Sequence, residues 1–108
     1  MPTTSKSSII TGDKAMPASI HPGRVLKREL AARALSANRL ALALGVPSGR
    51  ITEILNGKRA VSADTALRLA RYFGNSAVFW MNLQTQHDLA VAERDRGAII
   101  KREVRRSA

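Results

Sequence analysis

With 108 residues the chain has room for one domain and one hydrophobic core. It has no cysteine, which excludes disulfides and thiolate metal sites and suits a cytoplasmic protein; no apolar run approaches the roughly 20 residues needed to cross a bilayer, and the Ser/Thr-rich start lacks the apolar stretch of a secretory signal. The formal charge of +10 is uneven: residues 21–59 carry eight Lys/Arg against two acids, residues 60–94 three against three, and residues 95–108 five against two. Basic charge thus gathers on one segment and on the C-terminal end, as a polyanionic partner would require.

Residues 1–19 show neither helical nor strand periodicity, are punctuated by Pro2, Gly12 and Pro17, and are expected to form a disordered arm with Ile9-Ile10 as its apolar anchor. A first helix is expected to open at His21-Pro22, since proline is tolerated in a first helical turn, and to run to about Arg33. Val25, Leu26, Leu30 and Ala34 form its apolar stripe, with Arg24, Lys27 and Arg28 outside. Ser36 should cap a second helix whose inner face is Leu40, Ala41 and Leu44, and Gly45 should end it.

A third helix is expected from near Pro47, with Ile51, Ile54 and Leu55 inward, Val46 stapling the entry, and Ser48, Gly49, Thr52, Glu53 and Asn56 outward. Gly57 stops it. Ser62 should cap a fourth helix over 63–73, its buried stripe read as Ala66, Leu67, Ala70 and Phe73; Asp64 and Arg71 sit on the favourable ends of the helix dipole, and Gly74 stops the helix. A fifth, opened by Asn75 or Ser76, should carry Phe79, Trp80, Leu83, Leu89 and Ala90 as far as Arg94. Gly97 and the charge-rich end then mark a fraying basic tail, 95–108. No segment alternates with period two. The expected fold is all-α: a five-helix domain over 20–94 between the arm and the tail.

Residues 36–57 have the spacing of a helix-turn-helix, two short helices joined at Gly45, a device for placing one helix in the DNA major groove. On the outer face of the third helix Ser48 and Thr52 can donate or accept at base edges, Arg50 can fork onto guanine, and Glu53 can accept from cytosine. Arg50 could equally pair with Glu53 at i, i+3 or touch a phosphate. Candidate phosphate contacts lie on both sides: Ser36, Asn38 and Arg39 at the start of the second helix, and Asn56, Lys58 and Arg59 after the third. One short helix reads few base pairs, so a two-fold pair on a palindrome, with half-sites about 10 bp apart, is the expected mode. The candidate dimer interface is one face of the fifth helix: Phe79, Trp80, Leu83, His87 and Ala90. Helical spacing gives Phe79, Trp80 and Leu83 a place in the core as a second reading. His21 and His87 lack metal-ligand spacing, and nothing pairs a nucleophile with a base, so neither a metal, a cofactor nor an enzymatic role is expected.

With these residues in view, three stretches carry a family resemblance: HPGRVLKREL, LALALGVPSGRITEILNGKRAVSADTALRLARYFGNS and AVFWMNLQTQHDLAVA. Residues 21–94 resemble the HigA/VapI-type antitoxins of the Xre/Cro-like, lambda-repressor-like helix-turn-helix class. The combination of RITEILNGKR, SADTALRLARYFG and FWMNLQ is more specific than the helix-turn-helix alone. The resemblance implies a homodimer that binds palindromic operator DNA, represses its own operon and neutralises a HigB-like mRNA-cleaving toxin of a type II toxin–antitoxin module. It maps the recognition helix onto Pro47 to Asn56 and phosphate contacts onto the Ser36–Asn38 and Asn56–Arg59 regions. Gly49 departs from it, with no side chain to read a base. The alternatives are a stand-alone repressor with no toxin partner, and a protein-interaction module that no longer binds DNA.

Overall fold

A computed structural model describes residues 20–107, and the expected arm, 1–19, lies outside them. Five helices follow in order among the described residues: α1 (Pro22–Ala32), α2 (Ala37–Leu44), α3 (Ser48–Leu55), α4 (Ala63–Phe73) and α5 (Ala77–Glu103), with no strand. The chain divides into two compact units, one of Ile20–His87 and one holding residues 88–107. None of these helices is long and apolar enough to cross a membrane.

Local chemistry sets the helix starts. The Ser36 hydroxyl accepts from the Arg39 amide at 3.1 Å, Ser62 from Thr65 at 3.3 Å and Ser76 from Phe79 at 3.0 Å. At α1 the cap is a histidine: His21 Nδ1 accepts from the Gly23 amide at 2.9 Å, and Pro22 occupies the first helical position. Gly45 ends α2 at φ 74°, a conformation that favours glycine.

The core of the first unit joins all five helices. Leu26 and Leu30 of α1, Leu40, Ala41 and Leu44 of α2, Ile51 and Ile54 of α3, Ala66 and Leu69 of α4, Val61 before it and Trp80 of α5 are buried together. Two polar bridges fix elements far apart in sequence. Gln84 is buried and its Oε1 accepts from the Val61 amide at 2.8 Å, while Trp80 Nε1 donates to Asn75 Oδ1 at 3.0 Å. Each satisfies a polar group that burial would otherwise penalise.

Gly23 sets the approach of α1 to α3. A Cβ at Gly23 would overlap the Ile54 carbonyl oxygen, whereas one at Gly49 would meet nothing within 4 Å. Gly23→Ala should therefore destabilise the domain by about 1–3 kcal/mol through overpacking. Gly49→Ala should stabilise it by roughly 0.5–1 kcal/mol through helix propensity. Parallel denaturant melts of the two variants check the contrast.

Four expectations are corrected. Ala34 does not continue the α1 stripe: the helix ends at Ala32, and Ala34 is exposed in the turn with φ 52°. Leu67 is 63% exposed and Leu69 is buried in its place. The inward row is Ala66, Leu69, Ala70 and Phe73, at i, i+3, i+4 and i+7, and Leu67 stands about 100° round the helix from Ala66. Leu89, expected on an inner face, is exposed. Finally α5 continues past Arg94 to Glu103. One interior glycine costs only about 1 kcal/mol, and Lys101 and Arg102 in the last turn complement the helix dipole. Within this stretch Arg94 Nε donates to Asp95 Oδ1 at 2.9 Å, which holds the Asp95 carboxyl below its ordinary range.

Candidate nucleic-acid interface

Helix α3 separates into two faces. Ile51 and Ile54 are buried against the rest of the helix-turn-helix, and Ser48, Gly49, Thr52 and Glu53 face solvent. The Thr52 hydroxyl donates to the Ser48 carbonyl at 3.2 Å. With its proton engaged by the helix, that hydroxyl offers acceptor capacity, which suits the exocyclic amine of adenine or cytosine. The Ser48 hydroxyl sits one turn earlier on the same exposed face.

The charged residues pair differently from the expected Arg50–Glu53 contact. Glu53 Oε1 accepts from Arg59 Nε at 2.6 Å, so the reading face and the cations after it are joined. The pair is half exposed and worth at most about 1 kcal/mol. Its more useful effect is to offset the repulsion a bare carboxylate would exert on phosphate. Arg50 turns instead toward α4, its Nη1 lying 3.9 Å from Asp64 Oδ2. The same carboxylate oxygen accepts from Arg68 Nε at 2.8 Å, and Arg68 Nη1 donates to the Leu44 carbonyl at 2.8 Å. Arg68 thereby braces the C-terminal end of α2 from α4. The i, i+4 relation of Asp64 and Arg68 was readable as a helix pair; the reach to Leu44 was not.

The two flanking groups are also in place around α3. Ser36, Asn38 and Arg39 are exposed at the start of α2, where the amides of Ala37 and Asn38 have no partner within the helix. Asn56, Lys58 and Arg59 are exposed just past α3. There the amides are already engaged, Asn56 with Thr52 at 3.0 Å, Gly57 with Ile54 at 3.0 Å and Lys58 with Glu53 at 2.8 Å. This second group can hold a phosphate only through its side chains, whereas the first can use backbone as well.

The candidate dimer residues do not form one exposed face. Trp80 is withdrawn from that interface: it is fully buried in its own protomer, with the Phe79 ring edge-on at 5.2 Å. Phe79 is exposed, and Leu83, His87 and Ala90 are half-buried. The His87 ring meets the His21 ring edge-to-face at 4.9 Å.

Comparison with known proteins agrees with this arrangement. A helix-turn-helix family model matches residues 26–80. The chain is 52% identical over 93 residues to Virulence-associated protein I of Dichelobacter nodosus, covering 85% of each. It superposes with a TM-score of 0.79 on an addiction module antidote protein of a HigA family from Coxiella burnetii, at 47% identity over 82% of this chain and 98% of that one. The solved structure of Pseudomonas aeruginosa antitoxin HigA with the higBA promoter gives a TM-score of 0.81 and 42% identity over 83% of this chain and 99% of that one. A five-helix fold with an outward α3, and identities of this size over nearly the whole length of such relatives, place the chain among the HigA/VapI-type antitoxins of the Xre/Cro-like helix-turn-helix family.

Proposed function

We propose that this protein is the antitoxin of a type II toxin–antitoxin module. As a homodimer in the cytoplasm it binds a palindromic operator upstream of its own operon, represses transcription, and neutralises a HigB-like mRNA-cleaving toxin. The observation that carries the DNA half is the α3 surface. Ser48, Thr52 and Glu53 face solvent between two phosphate-binding groups, while Ile51 and Ile54 anchor the helix from behind. Phosphate contacts would set the register, and Ser48, Arg50, Thr52 and Glu53 would choose the sequence. The likeness to an antitoxin solved with its promoter supports the same reading. Phe79, Leu83, His87 and Ala90 remain the proposed dimer contacts.

A two-part experiment tests the proposal: repression of a reporter driven by the upstream DNA, and rescue of cells expressing the neighbouring gene's product. Repression together with rescue is expected. Repression without rescue would make the protein a stand-alone repressor, and rescue without repression a protein-interaction module.

A further inference from the structure

A second cationic surface adjoins the end of α3 and lies outside every contact considered so far. The first turns of α1 and the end of α3 form a cleft lined by His21, Arg24, Lys27, Leu55, Asn56 and Gly57. Two cations and no carboxylate line it. Arg24 and Lys27 stand three residues apart on α1, so their side chains share one side of the helix. Neither takes part in an ion pair among the described residues. The acids of this unit's ion pairs are engaged elsewhere, Glu29 with Arg33, Glu53 with Arg59, and Asp64 with Arg50 and Arg68. His21 adds no competing acceptor, since its Nδ1 holds the Gly23 amide.

The placement is built into the packing. Gly23 lets the α1 backbone rest directly on the Ile54 carbonyl, so Arg24 and Lys27 are held beside Asn56 and Gly57. Those two residues lead straight into Lys58 and Arg59.

We propose that Arg24 and Lys27 bind a phosphodiester of the operator duplex, adjacent to the one met by Lys58 and Arg59. The site rests on the DNA-binding reading and extends it from the helix-turn-helix to α1. An acid-free pair of cations continuous with a phosphate clamp fits a polyanion running across both. An acidic patch on a protein partner would share only the charge.

The test is fluorescence anisotropy of the full chain on duplex from its own upstream region and on a mixed-sequence duplex, over a range of salt. The variants are Arg24→Ala/Lys27→Ala, Arg24→Lys, Lys58→Ala/Arg59→Ala, and Arg33→Gln at the opposite end of α1. The Arg24→Ala/Lys27→Ala chain should lose affinity by the same factor on both duplexes. Its plot of log affinity against log salt should flatten by about 0.9 per cation removed from each protomer. Arg24→Lys should keep the wild-type slope, and Arg33→Gln should leave it nearly unchanged. If Lys58→Ala/Arg59→Ala weakens binding while Arg24→Ala/Lys27→Ala behaves like Arg33→Gln, the α1 site is overturned and the reading of α3 stands. Loss of toxin binding alone in the α1 variant would assign the cleft to a protein partner and also overturn it. A wild-type chain without affinity for either duplex would overturn both.

Discussion

Trp80→Ala should lower the free energy of unfolding by about 3–5 kcal/mol, as removal of a large buried aromatic side chain does. Trp80 is fully buried, with the Phe73 ring at 6.1 Å and the Phe79 ring at 5.2 Å, and its indole N–H bonds Asn75 at 3.0 Å. Alanine leaves a cavity at the point where α4 turns into α5, and small domains have only about 5–15 kcal/mol to lose. Trp80→Phe should cost less. It keeps most of the buried ring, and the Asn75 side chain it releases is at the surface, where water can replace the bond. Denaturant melts followed by far-ultraviolet circular dichroism check this, because the substitution removes the chain's one tryptophan fluorophore. A cost below 1 kcal/mol for alanine would mean that Trp80 is not a core residue. Under conditions where the variant is still folded, its DNA affinity should match wild type, since Trp80 lies behind the binding surface rather than on it.

Arg50→Ala and Lys58→Ala/Arg59→Ala should both weaken operator binding, with opposite signatures. Arg50 leaves only a 3.9 Å contact with Asp64, and Arg68 remains on that carboxylate, so its release costs little. If it then forks onto a guanine, Arg50→Ala should cost about 1–3 kcal/mol on the preferred operator and far less on mixed sequence. The Lys58→Ala/Arg59→Ala chain should lose affinity on all sequences alike and flatten the salt dependence by about 0.9 per contact. Arg59→Ala alone should hurt more than Lys58→Ala, because it also frees the Glu53 carboxylate beside the duplex. Binding isotherms on matched and mixed duplexes separate the two signatures.

What the chain reveals before folding follows the range of the interactions. Caps at Ser36 and Ser62 and the stop at Gly45 depend on atoms three or four residues away, so they can be read from sequence. The outward face of α3 is legible for the same reason, since one short helix and its flanks carry it. Features set by distant contacts are not. Leu69 rather than Leu67 turns inward because α4 must meet partners on other helices, and either leucine satisfies a loose helical period. The bonds from Gln84 to Val61 and from Arg68 to Leu44 span 23 and 24 residues and leave no local trace. Gly23 reads as an ordinary turn residue after His21-Pro22 until α3 is laid against it. Glu53 pairs with Arg59 rather than Arg50 because the chain folds back after Gly57, a turn whose geometry the i, i+3 spacing does not contain. The continuation of α5 was hidden by Gly97 and the dense charge after it, both of which resemble a stop.

The native chain contains no cysteine, so a single thiol can be placed on α3 without ambiguity. A Ser48→Cys chain carrying a DNA-cleaving iron chelate, bound to duplex from its own upstream region, should cut in two clusters about one helical turn apart, as paired α3 helices in successive major grooves would. A complex that forms yet is not cut from Ser48, but is cut from the same probe on Ala31 of α1, would show that α3 does not face the DNA.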